Sequence, residues 1–164
     1  MTIPEIYANV MSLKDCSIFD HYAERNIFID QRYLSSKHAD KSAFPPACLI
    51  GDGEIFGVML NIYDYKSLKD VEFKLWHEFG HYMNEGFAGL GKNMVATKVN
   101  KDIYERHANT FAVFALIPQH PIDGRSIFHV AKEQGIPFDA IKGVLSDLSL
   151  EPDPFFRHYY DEYF

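Results

Sequence analysis

The chain has 164 residues, 47% hydrophobic and 15% aromatic, enough for one compact domain with a packed core. A net charge of −7 with no basic run argues against direct nucleic-acid binding. The only cysteines, Cys16 and Cys48, are too few for a disulfide framework, no apolar stretch suits a membrane span, and residues 1–6 lack a signal-like run, so a cytoplasmic location is expected.

The opening third reads as helix over 4–13 and again over 17–24, followed by a short strand at 26–30 and a polar loop around 35–43. Beyond Pro45-Pro46, segments 47–50 and 54–61 flank Gly51-Asp52-Gly53. That is a hairpin signal, because Asp-Gly tolerates the positive φ angles of a tight reversal. A helix over 68–84 comes next. Ser67 and Asp70 mark its start; Val71, Leu75, Phe79 and Met83, with Phe73 and Trp76 beside them, recur at helical spacing; Asn84 and Gly86 suit its end. A second long helix is expected over 102–118, capped by Asp102 and stopped by Pro118. A helical pair spans 126–148. The tail, 152–164, holds six aromatic residues between positions 155 and 164, a strip that packs back on the domain or docks a partner. The sum is an α+β domain covering 1–164, mainly helical, with a small, mostly antiparallel sheet beside the 68–84 helix.

That helix carries the chemistry. His77-Glu78-Phe79-Gly80-His81 is H-E-x-x-H, and two histidines four residues apart on a helix project from one face. Both imidazoles reach one divalent cation, leaving Glu78 beside its open position as a general base. The reaction such a site serves is hydrolysis of a carbonyl compound, with the cation activating water. The bland alternative is a pair of half-buried histidines capping a core. Cys16 and Cys48 are read as small buried residues, with redox sensing or occupation of the cation's open position as the alternatives.

A third ligand must come from another element. On the 102–118 helix, Glu105, Ala108, Ala112 and Ala115 fall on one stripe. The alanines let the two helices approach with Glu105 projecting toward the metal; the bland alternative is a solvent-facing carboxylate in a salt bridge. Asn109, one turn on, is placed to orient a ligand. His107 lies roughly 200° around the helix from Glu105, so the two do not easily face one ion. Tyr82, His107 and His120 are the side chains weighed as oxyanion donors.

The pair His77-Glu78-Phe79-Gly80-His81 and Glu105-Arg106-His107-Ala108-Asn109-Thr110-Phe111-Ala112, closing on Leu116-Ile117-Pro118, resembles the ImmA/IrrE metallopeptidases, whose pattern is H-E-x-G-H then E-x-x-A-N-x-F-A. The likeness covers about residues 45–148. Glu72, Trp76 and His107 depart from the family's usual residues at their positions. The resemblance implies a zincin-like fold and one Zn2+, with Mn2+ or Fe2+ as alternatives, held by His77, His81 and Glu105. It further implies a bacterial or mobile-element regulator that inactivates a helix-turn-helix transcriptional repressor by cleavage. A zinc-stabilised anti-repressor that sequesters its partner without proteolysis is the alternative.

Overall fold

The computed structural model describes residues 1–13, 15–32, 47–51, 55–61, 65–84, 98–117 and 126–150, with backbone alone at 31, 32, 48, 51 and 98–101. In chain order the elements are α1 (Ile3–Met11), α2 (Ile18–Glu24), β1 (Ile27–Arg32), β2 (Ala47–Gly51), β3 (Phe56–Asn61), α3 (Leu68–Asn84), α4 (Lys98–Leu116), α5 (Ile127–Glu133) and α6 (Phe138–Leu150). The expected polar loop at 35–43, the hairpin turn at 52–54 and the aromatic tail lie outside the described residues.

Helix starts follow side-chain capping. Thr2 with Glu5, and Ser17 with Asp20, form reciprocal capping boxes on α1 and α2, and Ser126 accepts the amide of His129 on α5. At α3, Ser67 Oγ accepts the Asp70 amide at 3.2 Å. After α2, Asn26 turns the chain at φ 54, a left-handed angle that asparagine tolerates better than most residues. After α5, Gly135 does the same at φ 70, and a Cβ there would sit 2.8 Å from Lys69 Cβ. Lys69 also donates its ammonium to the Glu133 carbonyl, tying the end of α5 to the first turn of α3.

The fold is α+β: mainly helical, with one small sheet in the order β1-β3-β2. β2 and β3 pair antiparallel, as the Asp-Gly signal predicts, but β1 pairs parallel with β3. The sheet is therefore mixed rather than mostly antiparallel. The reason lies in the central strand. Phe56, Val58 and Leu60 are buried, so β3 gains most from neighbours on both edges, and β1 takes the edge that β2 leaves free. Phe28 lays its ring over Gly57, its partner in register, filling the space where any other residue would put a Cβ.

A second difference concerns α4, which begins at Lys98 and not at Asp102. Asp102 is an exposed residue inside the helix, because residues 98–101 contain no glycine or proline to halt it and a cap preference alone does not. α4 packs chiefly on α3, with α1 and α6 against its other sides. The core runs from Ile6, Ile18 and Tyr22 through Val58 and Leu60 to Leu75, Phe79 and Phe111, then to Ile141 and Leu148. No described helix is both long and apolar enough to cross a membrane.

Candidate metal centre

The site sits where α3 and α4 come closest. A Cβ on Gly80 would lie 2.9 Å from Phe111 Cβ and 3.1 Å from the Ala108 Cα, so glycine on one helix and alanine on the other set the approach. Aromatic packing fixes the rotation of α3 about its axis. Phe79 meets Phe111 at 6.0 Å between ring centroids and Trp76 edge-on at the same distance, while Tyr22 donates its hydroxyl to the Leu75 carbonyl at 2.8 Å. With that apolar side turned inward, His77, Glu78 and His81 face α4 and β2.

Three donors then converge. His77 Nε2 lies 3.2 Å from His81 Nε2 and 3.3 Å from Glu105 Oε2, and His81 Nε2 lies 3.7 Å from Glu105 Oε1. Bonds of 2.0–2.1 Å around a tetrahedral cation put ligand atoms about 3.3 Å apart, so the spacing suits one ion. Among the described residues this is the one His/Cys/Asp/Glu group whose ligand atoms all lie within 4.8 Å of one another. The donor set, two imidazoles and a carboxylate, suits a divalent cation such as zinc, manganese or iron. The burial is graded. His77 is 4% exposed, His81 12% and Glu105 47%, so the cluster opens toward solvent on its α4 side.

The surroundings set the chemical state of each ligand. Asn109 Oδ1 lies 2.9 Å from His77 Nδ1 and accepts its proton, so Nε2 is the ring atom that faces Glu105 and would bind a cation once its own proton is lost. The Glu105 carboxyl is pulled down to about 2, chiefly by its hydrogen bond with His77, against the opposing cost of burial, with further help from the charges of His77, His81 and Lys74. It is a carboxylate at every physiological pH. Glu78, only 5% exposed, accepts the main-chain N–H of Leu49 on β2 at 2.8 Å.

The structure thus brings His77, His81 and Glu105 together with Asn109 behind His77, while Glu78, next to His77 in sequence, turns its carboxylate to β2. Of the three oxyanion candidates, the two that are described have contacts elsewhere. Tyr82 packs on Phe56 at 5.2 Å and stacks on Phe79 at 5.9 Å, as a flank of the core. His107 lines a separate cavity of about 300 Å³ between the start of α1, α4 and α6, where Arg106 pairs with Asp147. His120 is outside the described residues, as is the Cys48 side chain. Cys16 lies by α2, its Sγ 3.4 Å from His21 Nε2. Two participants escaped the sequence reading. Lys74 had a signal, since it stands three residues before His77 on the same face of α3. The Leu49 amide had none, because every residue but proline carries one.

Comparison with known proteins gives no match: no family model fits the chain, and no curated protein or solved structure is significantly similar to it.

Proposed function

We propose that the chain is a zinc-dependent endopeptidase of zincin-like fold that inactivates a helix-turn-helix transcriptional repressor in the cytoplasm. The observation that carries the hydrolytic half is the cluster of His77, His81 and Glu105, with the buried Glu78 next to His77 in sequence. The repressor half is supported by the resemblance of the two motifs to ImmA/IrrE regulators. A cation held there supplies Lewis acidity toward the scissile carbonyl and toward water. The chain's own residues do the rest. Glu78 takes the proton of the attacking water and delivers it to the leaving amine. Asn109 fixes the His77 ring, and the graded burial leaves the Glu105 side open to a polypeptide.

A structural metal site has no use for a buried base beside an open coordination position, which favours catalysis over sequestration. The test is incubation of the purified protein with its co-encoded repressor and one equivalent of zinc. The wild type is expected to cut at a defined position, and Glu78→Gln is expected to slow cutting by about 10²- to 10⁴-fold while still holding zinc. Tight binding of the repressor with no cleavage by either version would instead support the sequestering role.

A further inference from the structure

The general base has a partner that is not a side chain. Among the described residues β2 is an edge strand: it pairs with β3 on one side, with Leu49 opposite Val58 in an antiparallel register. Backbone groups in such a strand alternate between inward and outward, so a residue whose N–H leaves the sheet gives no ladder bond from that group. The Leu49 N–H leaves the sheet. It donates to Glu78 Oε2 at 2.8 Å, across the space between the strand and α3.

From this geometry we infer that the main-chain amide of Leu49 is the positioning group for Glu78, holding one carboxylate oxygen so that the other faces the water to be deprotonated. This rests on the peptidase reading and adds to it the device that aims the base. A glutamate side chain has three rotatable bonds, and a helix fixes only its root. Burial alone does not choose among the remaining rotamers. A charge-assisted bond from a rigid strand does, and it satisfies an oxygen that would otherwise be buried unpaired. The arrangement also gives the edge of β2 a task other than pairing. At Leu49 the strand's outward donor is already committed, so an extended peptide adding to this edge must form its ladder around that position.

Two perturbations isolate the amide. Leu49→Pro deletes the N–H at a point where no ladder bond is lost, a substitution that edge strands accept. Replacing Leu49 with its α-hydroxy analogue during translation turns the amide into an ester, keeps the side chain, and covers the case in which the proline variant does not fold. Either change is expected to lower kcat by about 10- to 100-fold, with KM changed less than about threefold and zinc affinity unchanged, because the base is misaimed while the metal ligands stay in place. A second measurement needs no activity. Exchange of the Leu49 amide proton with deuterium should be slow in the wild type and in Glu78→Gln, whose amide oxygen still accepts, and fast in Glu78→Ala.

An ester variant that cleaves with the wild-type kcat would overturn the inference. So would an exchange rate at Leu49 that is the same in Glu78→Ala as in the wild type. A wild-type protein that cuts no repressor, but whose Leu49 exchange still tracks residue 78, would instead bring down the peptidase reading and this catalytic role with it, leaving the bond a structural one.

Discussion

Two helix pairs in this protein meet by different rules. The side chains that α5 and α6 bury are all apolar, among them Val130, Ala131, Ala140, Ile141 and Val144, and Phe128 meets Phe138 at the exposed rim. α3 and α4 join through apolar side chains on one side of the seam and polar ones on the other. Of the four buried polar or charged side chains among the described residues, three (His77, Glu78 and Thr110) belong to this second pair. Thr110 satisfies itself on the Arg106 carbonyl, one turn back, at 2.9 Å. His77 and Glu78 cannot do so and depend on Asn109 and on Leu49. Burying such groups costs stability that an apolar pair never forfeits. The contrast marks where the chain gives up packing energy to keep a polar cluster at a helix seam.

Variants can break that contrast. After the loss of Glu78, the largest expected effect is at Asn109. Asn109→Ala frees the His77 ring, and zinc affinity measured by chelator competition should fall about 10- to 100-fold with the fold retained. Next comes the seam itself. Gly80→Val drives a branched side chain into Phe111 and the Ala108 backbone, and urea unfolding should register a loss of about 1–3 kcal/mol together with weaker zinc binding. The all-apolar pair should respond less and without metal linkage. Phe138→Ala removes a half-exposed ring that Lys142 covers at 4.7 Å, for a loss of about 0.5–1 kcal/mol and unchanged zinc affinity. An equal drop in zinc affinity in this variant would erase the distinction between the pairs.

The smallest effect is one of pH. The Glu105 carboxyl lies below its ordinary value of 4.5, at about 2, so it contributes stability above 4.5 and loses it as pH falls toward 2. In metal-free protein, the stability difference between wild type and Glu105→Gln should therefore shrink across that window. The side chain is nearly half exposed, so solvent screening keeps the difference small. A gap that stays constant from pH 5 to pH 2 would remove the depressed carboxyl from the account.

How much of this was readable in advance varies with the kind of signal. The span of α3 follows from side chains alone, since Ser67 opens it and the apolar spacing continues through Met83. The stripe of Glu105, Ala108 and Ala112 on α4 was equally legible, because small residues and one carboxylate at helical spacing leave few ways to dock. Sheet order was not. Asp-Gly encodes a local reversal between β2 and β3, whereas the place of β1 is settled by non-local burial of Val58 and Leu60. The start of α4 misled because a cap residue states a preference that neighbouring backbone can outvote. Tyr82 and His107 misled for a simpler reason. Chemical competence says nothing about direction, and Phe56 and Phe79 claim the ring of one while the α1 side of α4 takes the other. The Leu49 amide could not have been found, since main-chain donors have no letter of their own.

The contact of Phe79 with Phe111, beside the Gly80–Ala108 approach, has a bearing on what a chelator would do to the fold. The two helices are clamped by hydrocarbon as well as by polar contacts, so the seam does not depend on an ion for its packing. Stripping with a chelator should then yield a folded shell that takes up zinc again on its return.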